Sequence, residues 1–122
     1  MKALTICQPY ASLIITATKR VENRSWATAY RGPLVIHAGK STAWITEDSE
    51  FALPRGVILG TVDLINCVCL REYEKKYDSD DQWANGPWCW VLRNPQLLPH
   101  IPYRGAQGLF DIPDDFIKEA TF

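Results

Sequence analysis

Apolar and polar residues alternate from Lys2 to Cys7, the period of a half-buried β-strand. Gln8-Pro9 ends that rhythm and opens a helix with Pro9 in its first turn, where a missing N–H costs nothing. Leu13, Ile14 and Ala17 stand at helical spacing and form its apolar face. Alternation returns over Arg20–Trp26, with Val21 and Asn23 on one face and Arg20, Glu22 and Arg24 on the other. A turn at Arg31-Gly32-Pro33 leads into a buried strand, Leu34–Ala38, and residues 41–52 read as a short helix with Trp44 and Ile45 packed down. Gly56–Leu70 is a long β stretch, Val57 to Cys69, in which Gly60 marks a bulge or barrel bend.

The stretch Glu72–Gly86 is polar, acidic and at best partly helical. Trp88–Leu92 and Gly108–Ile112 read as strands separated by a proline-rich loop with Pro95, Pro99 and Pro102. Pro113-Asp114-Asp115-Phe116 opens a terminal helix. Irregularly spaced strands with two or three short helices predict an α+β barrel rather than a doubly wound sheet. With 122 residues and no repeat or linker, residues 1–122 are expected to form a single domain.

Composition narrows the function classes. Hydrophobic residues make up 47% and charged residues 22%, as in ordinary globular proteins. No apolar run is long enough to span a bilayer, and Met1-Lys2-Ala3 leads straight into a strand without a signal-peptide pattern. A cytoplasmic location and no membrane partner are therefore expected. Cys7, Cys67, Cys69 and Cys89 form no Cys-x-x-Cys pair and sit apart from His37 and His100. That argues for reduced, mostly buried thiols and against a metal site or any other cofactor. Net charge is −1, which is wrong for a general polyanion binder, yet residues 1–44 carry six cations against the single anion Glu22. A locally basic first third suits a phosphate or an electron-rich base.

The run Gln8-Pro9-Tyr10-Ala11-Ser12-Leu13-Ile14 is followed by Thr18-Lys19-Arg20-Val21-Glu22-Asn23-Arg24-Ser25-Trp26, then by Tyr30-Arg31-Gly32-Pro33-Leu34-Val35-Ile36-His37-Ala38-Gly39-Lys40. With Pro54-Arg55-Gly56, Trp88-Cys89-Trp90, Tyr103-Arg104-Gly105 and Gly108-Leu109-Phe110, these resemble the ASCH family of the PUA-like superfamily. The resemblance implies a mixed β-barrel whose cleft, beside the first helix, is lined by Lys19–Arg24. It also implies RNA or nucleotide recognition; one branch hydrolyses the acyl group of 4-acetylcytidine and one member is described as a ribonuclease. Two departures stand out. Tyr10 occupies a position where the family often has Trp, and Ala17 one where it often has Gly, so the backbone there either needs no positive φ or bears strain.

The acyl-cytidine branch uses a Lys, a Thr three residues later and a distant Glu. Lys19 matches the first; Glu22 stands at the Thr position; Asp63, Glu72 and Glu74 all compete for the third. The expected chemistry is metal-independent amide hydrolysis of an acylated cytosine nucleoside. In it Lys19 serves as base or nucleophile, favoured by burial and the cations Arg20 and Arg24. Glu22 shuttles protons, and Asp63 is the alternative acid, a carboxylate inside an apolar strand that must face solvent or pair with a cation. Tyr10, Arg24, Trp26 and Lys40 are the expected substrate contacts. On spacing alone, Lys19-x-x-Glu22-x-Arg24 reads as a solvated strand face with a surface ion pair; the resemblance turns that reading toward a cleft. His37 reads as a hydrogen-bonded core histidine, and at most one tryptophan is expected in the site. A non-catalytic module binding single-stranded RNA, or a ribonuclease using Lys19 and Glu22, are the alternatives. The oligomeric state stays open between monomer and weak dimer.

Overall fold

In the computed structural model, which describes residues 1–45 and 53–120, the alternating and apolar segments become six strands. They are β1 (Lys2–Ile6), β2 (Val21–Arg24), β3 (Gly32–Ala38), β4 (Val57–Cys69), β5 (Trp88–Pro102) and β6 (Leu109–Asp111). Three short helices join them: α1 (Tyr10–Ile15), α2 (Leu70–Lys76) and α3 (Asp114–Ala120). The strands form one sheet in the order β2-β5-β4-β3-β1-β6, curled into a half-barrel. β1 and β3 run parallel, Lys2 opposite Leu34 and Ile6 opposite Ala38, and the other neighbours are antiparallel. A parallel pair needs a long crossover. Here the crossover carries α1 and β2, the two elements that hold the charged motif.

Period-2 alternation divides the core between the sheet's two faces. Leu34 and Ile36 pack with Leu4, Ile6, Val62, Trp90 and Leu92 against Ala11 and Ile14 of α1. Val35 points the other way and packs with Ala3, Ile58, Ile112 and Ile117 under α3. A third cluster gathers Val21, Tyr73, Cys89 and Val91 beneath α2. The buried face of α1 is thus Ala11 and Ile14, not the expected Leu13, Ile14 and Ala17.

The β4–β5 register shifts between Ile58 and Gly60, as the glycine foretold. A Cβ at Gly60 would lie 2.1 Å from the Gln96 carbonyl oxygen, so nothing larger fits there. Ala17 has φ +64°, which decides between the two expectations in favour of strain: an alanine occupies the left-handed region usually left to glycine. The turn it makes brings the Lys19 N–H onto the Leu13 carbonyl at 3.0 Å.

Three expectations need correction. The proline-rich stretch after Leu92 is strand rather than loop, because β5 runs unbroken to Pro102. β2 pairs only with Trp88–Val91, so beyond Leu92 one side of β5 is a free edge where prolines forfeit no ladder bond. Trp44 is not packed down but 60% exposed, and residues 41–45 form no helix; the rest of that expected helix, 46–52, lies outside the described residues. Of the four free thiols, Cys89 is buried, Cys7 and Cys67 are half-buried and Cys69 is exposed, so burial is not shared by the set.

Candidate functional site

Gln8 starts the site. Its side chain is wholly buried and ties down the start of α1: Oε1 accepts the Ser12 N–H at 3.0 Å, and Nε2 donates to Ser12 Oγ and to the Pro54 carbonyl, both at 2.8 Å. α1 then presents Tyr10 beside the end of β1, and the Ala17 turn returns the chain so that Lys19 points inward.

Lys19 is 3% exposed and Glu22 8%, so the Lys19–Glu22 pair is buried, with Arg24 half-buried beside it, rather than a solvated strand face. The Lys19 ammonium donates to the Glu22 Oε1 at 2.9 Å and to the Val21 carbonyl. Glu22 Oε2 receives the Arg24 guanidinium at 3.0 Å, and the same Arg24 nitrogen donates to the Thr5 carbonyl at 3.0 Å. One carboxylate therefore sits between two cations, and each of its oxygens keeps a further acceptor site. The same-face placement of Glu22 and Arg24 is as expected. Arg20, however, is exposed and lines other surfaces, so the second cation beside Glu22 is Lys19 itself.

Above this floor opens a cleft of about 670 Å³, lined by Tyr10, Lys19, Glu22, Arg24 and Lys40 of the expected residues. Trp44 and Trp83 complete its wall: Tyr10 stands 6.2 Å from the Trp44 ring and 6.5 Å from the Trp83 ring, centroid to centroid. The Lys19 ammonium lies 5.8 Å from the Tyr10 ring centroid. Among the described residues, Lys19, Arg24 and Lys40 against Glu22 leave the lining with two net positive charges.

Two expected residues lie elsewhere. Asp63 lies in β4 opposite Pro33 and Arg93 and accepts a hydrogen bond from Asn94 Nδ2 at 2.9 Å; it does not line the cleft. Neither do Glu72 and Glu74. Trp26 packs edge-on against Trp90 at 4.7 Å and offers its carbonyl to the Trp90 indole N–H at 3.2 Å, outside the cleft. His37 is a core residue as expected. Its Nε2 donates to the Tyr103 carbonyl at 2.7 Å, which leaves Nδ1 to accept from the Thr5 hydroxyl at 3.1 Å.

The sequence reading missed Trp44, Trp83 and Cys7, and two tryptophans line the cleft where at most one was expected. Trp83 arrives through Asn23. Asn23 Nδ2 donates to the Trp83 carbonyl at 2.9 Å, and its Oδ1 accepts from the Asn85 and Gly86 N–H groups at 2.8 and 2.9 Å. The available signal was an asparagine on the apolar face of β2, which demands backbone partners once buried. Cys7 also lines the cleft, but burial first and the Glu22 carboxylate second raise its thiol pKa. It is a neutral, weakly nucleophilic thiol at pH 7. Among the described residues no three His, Cys, Asp or Glu side chains gather as metal ligands, and no helix is long and apolar enough to cross a membrane.

The ASCH domain family model matches residues 4–99. The chain belongs to the ASCH family. It is 32% identical over 126 residues to activating signal cointegrator 1 of Homo sapiens and 34% identical to that of Mus musculus. These alignments take in 89% of this chain but 22% of each relative, so the chain spans about a fifth of those proteins. Among solved structures, ASCH from Zymomonas mobilis superposes with TM-score 0.66 at 15% identity, covering 97% of this chain and 91% of that one. A point mutant of it gives 0.65 at 14% identity, covering 97% and 94%. At that identity the likeness is one of fold, and the six-stranded curled sheet with three short helices is the ASCH, PUA-like architecture.

Proposed function

We propose that this ASCH domain is a single-stranded RNA-binding module whose cleft holds one unpaired base. The supporting observation is the meeting of Tyr10, Trp44 and Trp83 over the buried Lys19–Glu22 pair and the half-buried Arg24. An unpaired base stacks on aromatic faces whatever its identity, each stack contributing ~1–3 kcal/mol. Its edge then meets an acceptor flanked by donors. Cytosine suits that order, its amino group toward Glu22 and its ring nitrogen and carbonyl toward Lys19 or Arg24. Lys40 at the rim offers charge to the phosphate. Quenching of tryptophan emission by cytidine monophosphate tests the reading; the account expects quenching in the wild type and its loss in Tyr10→Ala.

A second reading, amide hydrolysis of a 4-acylcytidine, draws support from the Lys19–Glu22 pair on the cleft floor. Glu22 would take a proton from the attacking water and return it to the leaving amine, while Lys19 and Arg24 stabilise the oxyanion. It is the weaker reading. Position 22 lacks the hydroxyl of the acyl-cytidine branch, and Asp63, Glu72 and Glu74 lie outside the cleft. Turnover of 4-acetylcytidine, followed by ultraviolet absorbance with EDTA present, tests it. Catalysis would persist in EDTA and fall roughly 100-fold or more in Glu22→Gln; no turnover by the wild type leaves binding alone.

A further inference from the structure

A second cleft, of about 750 Å³, opens beside the first and shares Thr5, Gly39 and Lys40 with it. The two make one continuous groove with Lys40 at their junction. The lysine stem crosses Gly56, where a Cβ would meet its Cε at 2.9 Å, so the side chain is laid down over a position without one. On the far side Arg104 lines the second cleft and is exposed. Neither the Arg104 guanidinium nor the Lys40 ammonium has an ion-pair partner among the described residues. Among the described residues no carboxylate lines this cleft, in contrast to the first, where Glu22 offsets part of the charge. The backbone at Gly105 passes close over His37, whose ring is held on both nitrogens; a Cβ there would meet His37 Cε1 and Thr5 Oγ1 at 2.9 Å. That floor is fixed by these contacts and carries no anion among the described residues.

We propose that the second cleft is a subsite for the neighbouring nucleotide of a single strand, with Lys40 and Arg104 binding the phosphodiester that links it to the base in the aromatic cleft. The inference rests on the proposed function and extends its footprint from one nucleotide to two. Phosphate is a group that Lys40 and Arg104, which have no ion-pair partner and no carboxylate beside them among the described residues, are suited to hold, and the guanidinium presents paired donors to its oxygens.

The test is tryptophan-fluorescence titration of the protein with cytidine and with the dinucleotide cytidylyl-cytidine, for the wild type and Arg104→Gln. The dinucleotide is expected to bind the wild type at least about tenfold more tightly than cytidine. Arg104→Gln should weaken the dinucleotide roughly five- to tenfold, leave cytidine unchanged and flatten the salt dependence by about 0.7 in log–log slope. Arg104→Lys should restore part of the loss, and an unchanged thermal midpoint guards against a folding defect. If Arg104→Gln binds both ligands as the wild type does, the second subsite is wrong while the base-binding reading stands. If neither ligand binds the wild type, the base-binding reading fails and carries this inference with it.

Discussion

Glu22 holds the site together at the level of single residues. Its carboxylate lies between the Lys19 and Arg24 cations, with Glu22 and Lys19 nearly sealed from water, where removing one member leaves charge uncompensated. Glu22→Gln is therefore expected to lose roughly 3 kcal/mol of stability in denaturant unfolding, well above the ~0–1 kcal/mol of an exposed pair. A cost below about 1 kcal/mol would show the array to be solvated after all. Ala17 makes the opposite case. At φ +64° it carries strain that glycine does not, so Ala17→Gly should gain about 1 kcal/mol and raise Tm by about 3–5 °C in calorimetry. A fall in Tm would mean that the alanine's packing outweighs the strain.

Elements come together through a few polar ties, and His37 is the clearest. On β3 it links Thr5 of β1 to the Tyr103 carbonyl just past β5. Burial lowers its pKa below the ordinary value of 6.5, with Lys40 adding to the effect against the hydrogen bond to Tyr103. The folded chain thus holds His37 neutral where the unfolded chain takes up a proton. Stability should fall as pH drops below 6.5, by at most ~1.4 kcal/mol per pH unit from this one group. Urea unfolding between pH 7.5 and 5.5 should show a steeper loss for the wild type than for His37→Gln; equal slopes would clear His37 of the role. The same scale shows what the sequence could and could not reveal. β1, β3, β4 and the Gly60 bulge were legible because alternation in β1, apolar β-rich runs in β3 and β4 and a missing side chain are local signals. The extension of β5 through three prolines was not, because it depends on which side of the strand β2 leaves free. The charged half of the cleft was legible in one short motif. Its aromatic half was not, since Trp44 and Trp83 reach Tyr10 through chain returns, one of them clamped by Asn23 about sixty residues away.

Across the whole molecule, charge is partitioned rather than abundant. The chain carries a net −1, yet among the described residues the two adjoining clefts are lined by Lys19, Arg24, Lys40 and Arg104 with Glu22 alone opposing them. An acidic stretch around Asp78, Asp80 and Asp81 lines a different surface. Under the proposed function, this charge pattern suits a short single-stranded segment held at one place rather than a long polyanion coated along its length. Binding should therefore weaken with salt only shallowly, as a contact with one or two phosphates does. A steep slope, of the kind many phosphates produce, would count against a local groove. The central claim is that an unpaired base stacks in the aromatic cleft, and the most direct test is the affinity of an unstructured oligocytidine RNA for the wild type and for Trp44→Ala, read by fluorescence anisotropy. Trp44 is largely exposed, so its removal spares the core. The account predicts binding weakened about tenfold or more. Affinity within about twofold of the wild type would contradict it.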